Sequence, residues 1–285
     1  MVNSTDHLEI EAFMYTDNHN HTKHFSSDAK MSAKELIDSC KALGMNGVAV
    51  TEHYEGDYPH DIGESQIFDI PSFFEESKSW IEYAGDLPLY RGIELGYQKH
   101  LCAFYDDMIA KYPFDSVIMS NHLYKGKDPY FFRDGYEEPM IDVYTRYIEE
   151  MADLVEGCNN FDIVGHYDYI NRYAPYENPQ IKYAQCPESF DRFLSAIISK
   201  DKCLEINTRS VDKMRKKGLA DALPDPEILK RYYELGGRNI SLGSDSHTSD
   251  TLCVHFKEVA EYLSTFGFTE NSYYVARKRH GEPLI

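Results

Sequence analysis

Short apolar runs that end in histidine, a carboxylate or asparagine alternate along the chain with longer stretches in which apolar residues recur every three or four positions. The runs cover residues 13–19, 47–53, 89–95, 116–122, 162–166, 203–207 and 239–245, and their length and β-branched content predict strands. Helical spacing predicts helices near 32–43, 71–83, 140–156, 187–199, 226–235 and 254–266. Ser32 before the first of these and Gly44 after it suit helix caps. Strands alternating with helices predict parallel β-α units. Runs such as Gly47-Val48-Ala49-Val50 and Ile240-Ser241-Leu242-Gly243 fit strands covered on both faces. Reactive residues close nearly every run, and a barrel gathers all its strand ends around one mouth, whereas an open sheet uses mainly its switch point. We therefore expect an α/β chain folded as an imperfect seven-stranded (β/α) barrel, one domain over residues 1–285. Loops rich in Gly, Pro, Asp and Tyr at about 54–70 and 124–138 are expected to cross its mouth.

Composition narrows the function. The 285 residues carry 29 Lys+Arg against 48 Asp+Glu, a formal charge of −19. Such an acid excess opposes the counterion release that drives binding to nucleic acid or anionic lipid. Apolar residues make up 42% and aromatic ones 14%, enough for a sizeable core. Cys40, Cys102, Cys158, Cys186, Cys203 and Cys253 lie far apart with no C-x-x-C pair, which predicts no disulfide framework. Residues 1–11 show neither a basic leader nor an apolar signal core, and no apolar run approaches the ~20 residues of a membrane span. A soluble cytoplasmic protein is expected.

The strand ends carry the chemistry. The chain opens Asp17-Asn18-His19-Asn20-His21, and in extended backbone His19 and His21 point to the same side. An H-x-H pair alone is weak evidence for a metal. Further termini supply His53, Glu94, His122, His166, Asp245 and His247, making eight candidate ligands with His19 and His21. Histidine and carboxylate without nearby thiolate suit zinc, manganese or iron. Eight ligands exceed the needs of one tetrahedral ion, so two or three divalent ions are expected, with a carboxylate such as Glu94 or Asp245 between them. Asp17 and Glu52, beside candidate ligands, are candidates to orient imidazole rings.

The H-x-H opening, Thr51-Glu52-His53, the isolated Glu94, His122 and His166, and the closing Gly243-Ser244-Asp245-Ser246-His247 run in order over residues 17–247. In this the chain resembles the polymerase and histidinol phosphatase (PHP) metallo-phosphoesterases. Within that family it is similar to the histidinol-phosphate phosphatases, supported by Gly165-His166-Tyr167-Asp168-Tyr169, Arg172-Tyr173-Ala174-Pro175 and 204–209. The resemblance implies a distorted (β/α)7 TIM-like barrel with a trinuclear site. It implies one ion on His19, His21, Glu94 and Asp245 and a second on Glu94, His122 and His166. A third would lie on His53, His247 and a residue after the H-x-H, either Asp28, which we favour, or His24. It further implies hydrolysis of L-histidinol phosphate to L-histidinol and phosphate, in histidine biosynthesis.

Arg172 and Arg209 each follow a strand end, and the planar guanidinium matches phosphate oxygens, so both are candidate phosphate binders. Asp245 and His247 are candidates to relay a proton. Glu55, Asp57 and Asp61 are candidates to recognise the substrate's amine and imidazole. Of the tyrosines, Tyr54, Tyr58, Tyr97, Tyr130, Tyr173 and Tyr183 are candidates to line a pocket. Lys125, Lys127 and the basic run 213–217 read as solvated, and His7, His60, His100, His255 and His280 as surface residues. Two other readings compete: another phosphoesterase of the same family, a general phosphatase or exonuclease, and a non-catalytic metal-binding module. A basic groove would mark an exonuclease, and the charge of −19 does not advertise one.

Overall fold

The computed structural model describes residues 15–59 and 67–285. Seven strands, β1 (Thr16–Asp17), β2 (Gly47–Tyr54), β3 (Leu89–Gly96), β4 (Ser116–Ser120), β5 (Ile163–Val164), β6 (Cys203–Asn207) and β7 (Ile240–Gly243), pair in chain order. Every pairing in this sheet is parallel. Beyond the short β1, Asn18 N donates to Leu242 O (3.1 Å) and His21 N to Ser246 O (2.9 Å), so the chain after the first strand meets the last and nearly closes a barrel. Phe13 and Met14 of the expected first strand lie outside the described residues.

The helices between strands follow the expected stretches closely. They are α1 (Ala33–Leu43), α2 (Ile70–Ala84), α3 (Cys102–Ile109), α4 (Met140–Gly157), α5 (Tyr169–Tyr173), α6 (Pro187–Ser199), α7 (Thr208–Lys216), α8 (Pro226–Glu234) and α9 (Phe256–Ser264). At the start of α1 the Ser32 and Glu35 side chains each accept the other's backbone N–H, and Gly44 ends the helix at φ 66°, where a side chain would be strained. Three helices escaped the periodicity. α3 and α5 are short, and α7 is polar enough to read as loop, but Asn207 caps its first turn by accepting from Arg209 N at 3.0 Å. No helix among the described residues is long and apolar enough to cross a membrane.

Alternation along the strands sorts the side chains. Val48 and Val50, Ile93 and Leu95, Val117 and Met119, and Leu204 and Ile206 pack outward against the helices in the main core. A smaller apolar cluster of Ile118, Ile163, Cys203 and Tyr274 fills one end of the interior. Tyr274 comes from an antiparallel hairpin, β8 (Glu270–Val275) and β9 (Lys278–Pro283), absent from the sequence expectation. Its two-residue turn, Ala276-Arg277, has φ values of 47° and 65° without the Asn-Gly signature that usually marks such turns. Asn271 anchors it by donating to Thr16 O (3.0 Å) and accepting from Leu242 N (2.8 Å). Arg277 pairs with Asp162 just before β5. The hairpin thus plugs the N-terminal ends of the strands and leaves the other end for polar groups.

The cysteines depart from expectation in one place. Cys102 and Cys158 form a disulfide across 56 residues, because α3 begins where α4 ends. Cys40, Cys186, Cys203 and Cys253 are free and buried.

Candidate metal centre

The C-terminal strand ends converge on Glu94. Its Oε2 lies 3.2 Å from His19 Nε2, 3.5 Å from His21 Nε2 and 2.9 Å from His53 Nδ1, and its Oε1 lies 3.2 Å from His122 Nε2 and 2.9 Å from His166 Nε2. Asp245, at φ 51° after β7, puts Oδ1 3.5 Å from His21 Nε2. His247 Nε2 lies 3.4 Å from His53 Nε2 and 2.8 Å from Asp28 Oδ2. All eight residues proposed from the strand ends therefore meet in one place. Of the two alternatives after the H-x-H, Asp28 joins them, whereas His24 turns away to Glu76 (2.7 Å) and packs on Trp80.

The arrangement fits divalent cations. Two ligands on a tetrahedral ion with bonds near 2.0–2.1 Å stand about 3.3 Å apart, the spacing found here. Buried polar atoms normally find partners, yet His19 Nε2, His21 Nε2, His53 Nδ1 and Glu94 Oε2 are buried without a hydrogen bond. Four overlapping triads offer ligand atoms within 4.8 Å of one another: His21, His53 and His247; His19, His21 and Asp245; His19, Glu94 and His166; and His53, Glu94 and His122.

Close approach of the strands makes this crowding possible. A Cβ at Gly165, just before His166, would lie 2.0 Å from Ser120 Oγ, so only glycine lets β5 carry His166 this near β4.

The groups that orient the imidazoles differ from those expected. Asp17 accepts from Ser244 and the His19 backbone N–H, and Glu52, on the outward face of β2, accepts from Thr22 and Ser26. Neither takes a proton from an imidazole ring. That position belongs to Glu205, 2.6 Å from His19 Nδ1, and Glu55, 2.6 Å from His122 Nδ1. Fixing one ring nitrogen this way turns the other toward the centre. Glu205 also accepts the His166 N–H at 2.6 Å. Burial works against its charge, but His19 outweighs burial and lowers its pKa. Its inward parity with Asn207 on β6 was a readable signal.

A cavity of about 350 Å³ opens beside these residues, lined by His53, His122, Asp245 and His247 among others. Arg172 and Arg209 both line it. Arg172 is fixed by Asp245 (2.7 Å) and Ser210 (2.9 Å), leaving its Nη2 buried and unpartnered. Arg209 donates to Asp245 O at 2.6 Å and contacts His247 Nδ1. Burial opposes the charge of Asp245, yet Arg209, His19 and Arg172 hold its carboxyl well below the usual range. Thr208, not singled out in the sequence, adds a second unpartnered buried donor to the lining.

Other expectations need correction. Asp57 is exposed, pairs with His100 at 2.8 Å and does not line the cavity. Asp61 and the histidines His7 and His60 lie outside the described residues. The basic run 213–217, read as a solvated loop or helix end, forms the end of α7, and its Lys213 and Lys216 line the mouth of the cavity. Lys125 and Lys127 do pair outside the cavity, with Glu138 and Asp134. Of the tyrosines named, Tyr58, Tyr130 and Tyr173 line the cavity and Tyr54, Tyr97 and Tyr183 do not.

A parallel barrel whose strand ends converge carboxylates and imidazoles beside arginines defines a barrel metallohydrolase. Comparisons with known proteins make this particular. A family model for the PHP domain matches residues 17–209. The chain is 34% identical over 244 residues to a probable histidinol-phosphatase of Clostridium acetobutylicum, covering 86% of this chain and 91% of that one. It is 30% identical over 243 residues to the histidinol-phosphatase of Lactococcus lactis, covering 84% and 87%. A crystal structure of histidinol phosphate phosphatase from Lactococcus lactis, complexed with zinc, L-histidinol and phosphate, superposes with a TM-score of 0.81 at 28% identity. That match covers 94% of this chain and 100% of that one. The chain belongs to the PHP domain family.

Proposed function

We propose that this chain is a metal-dependent phosphomonoesterase that hydrolyses L-histidinol phosphate to L-histidinol and phosphate. The observation that carries it is Glu94 within 3.5 Å of five imidazoles, two of which, His53 and His122, line a cavity with Arg172 and Arg209. The printed identities of the relatives, and the zinc, L-histidinol and phosphate in the Lactococcus lactis structure, support the same reading. Residues 1–285 act as one cytoplasmic barrel domain in this account.

His19, His21, Glu94 and Asp245 would hold one ion, Glu94, His122 and His166 a second, and His53, His247 and Asp28 a third. Zinc, manganese and iron all suit this ligand chemistry. Bound divalent ions supply Lewis-acid activation of water and neutralise charge on the phosphoryl group. Arg172 and Arg209 grip the phosphate oxygens, and the unpartnered Nη2 of Arg172 is the donor kept for that use. Thr208 Oγ1 is free to join them. Asp245, paired with both arginines, and His247, beside Arg209 and the Asp245 carbonyl, move the proton that the leaving alkoxide requires. No side chain need act as the nucleophile, so no covalent phosphoenzyme forms.

Phosphate release from L-histidinol phosphate, p-nitrophenyl phosphate and a single-stranded oligonucleotide by zinc-loaded protein tests the assignment. The expected order is L-histidinol phosphate far ahead of the aryl ester, with the oligonucleotide uncleaved. Faster cleavage of either alternative would remove the substrate assignment while leaving the metal chemistry in place.

A further inference from the structure

The cavity lining is chemically divided. Arg172, Arg209 and Lys213 supply cations near Asp245 and His247, whereas an acidic and aromatic group stands beside His122 and His166. Its centre is Asp128, in the loop between β4 and α4. This carboxylate lines the cavity, is only 5% exposed, and among the described residues has no cation within ion-pair reach. It accepts hydrogen bonds from the Tyr58 hydroxyl, the Tyr169 hydroxyl (2.9 Å) and the Tyr130 backbone N–H (2.7 Å). Burying a carboxylate without a countercharge is costly, and neutral donors offset only part of that cost. Two carboxylate oxygens offer about four acceptor positions, so three donors leave room for one more.

The loop holds this carboxylate in place before any ligand arrives. Lys125 (φ 53°) and Gly126 (φ 74°) form a tight turn closed by Tyr124 and Lys127. Asp128 then starts a second turn, its carbonyl accepting from Phe131 N and Phe132 N. A preset group loses little entropy on binding. Glu55, the other carboxylate on this side of the lining, is occupied by His122.

We propose that Asp128, clamped by Tyr58 and Tyr169, is the specificity-determining residue that pairs with the ammonium group of the substrate. The inference rests on the L-histidinol phosphate reading. In that molecule the amine sits on the carbon next to the ester methylene, so its cation must lie close to the reacting phosphate. Tyr169 provides that spacing. Its ring centroid is 5.1 Å from that of His122 and 5.2 Å from that of His166, and its hydroxyl reaches Asp128. Tyr130 and Tyr173, packed edge to face at 5.5 Å, stand in the same lining.

The test compares zinc-loaded wild type with Asp128→Asn and Tyr58→Phe on L-histidinol phosphate and on its deamino analogue, 3-(imidazol-4-yl)propyl phosphate. Metal content and melting temperature are checked for each protein. The selectivity ratio, kcat/KM for the amine over that for the analogue, falls about 10- to 100-fold in Asp128→Asn, chiefly through KM, as expected for loss of a charge-assisted bond. Tyr58→Phe moves the ratio in the same direction by a smaller factor. An unchanged ratio in both folded variants, whether or not overall rates drop, overturns the proposal and leaves Asp128 as support for the loop. Failure of wild type to turn over L-histidinol phosphate at all defeats the functional reading, and this proposal with it. The wild-type rates judge the one and the variant ratios judge the other.

Discussion

Glu94→Ala should leave a folded barrel that hydrolyses L-histidinol phosphate roughly 10³-fold or more slowly than wild type, since the Lewis-acid contribution it organises is worth several kcal/mol. Its two oxygens lie within 3.5 Å of five candidate imidazoles. Burial opposes the charge of Glu94, but His19, His122 and His53 outweigh it and hold the carboxyl well below its ordinary range. Removing it takes away the shared anion and leaves those imidazoles facing one another. Metal content, measured by atomic emission after gel filtration, should fall in parallel. A Glu94→Ala protein with full metal content and a tenth or more of wild-type activity would show that the carboxylate is not the hub of the site.

Arg172→Ala should lower kcat/KM by about 10²- to 10³-fold, the usual effect of deleting one donor that meets charge developing in the transition state. It should also destabilise the metal-free protein by about 1.5–3 kcal/mol, because Asp245 loses a charge-assisted bond at 2.7 Å while Arg209 stays beside it. Arg172→Lys separates the two effects. The ammonium restores a charge near Asp245 and part of the stability, but not the planar fork that grips Ser210, Asp245 and phosphate together. Thermal melts of apo protein and steady-state kinetics of loaded protein read these outcomes. Full activity in Arg172→Lys would reduce the residue to a structural cation.

The metal candidates were legible in the sequence because each closes an apolar run, and period-2 alternation turns such positions inward together. Glu94 on β3 and His53 on β2 follow this rule, with Ile93 and Glu52 pointing the other way. By the same rule Glu52, next to the inward His53, faces outward and binds Thr22 and Ser26 instead of an imidazole. Glu205 obeys the rule on β6 but lacks a histidine beside it, and adjacency to a ligand proved a poorer guide than strand parity. Features set by long-range contact left no local trace. The Cys102–Cys158 bond joins two helix ends 56 residues apart, and the closing hairpin turns on Ala276-Arg277, residues without turn preference. Of the acidic candidates after β2, Asp57 sits exposed and Glu55 lines the cavity but is held by His122, whereas a further buried carboxylate, Asp128, comes from the loop after β4, where no neighbouring ligand marks it.

The most direct measurement is phosphate release from L-histidinol phosphate by metal-free protein as zinc is added in stoichiometric steps, with His19→Ala as the blank. Activity absent at the start, rising with zinc and saturating at two to three equivalents, and missing in the blank throughout, is the predicted course. Full turnover in the presence of a strong chelator would contradict the account, because the converging imidazoles and Glu94 would then serve some purpose other than holding catalytic metal.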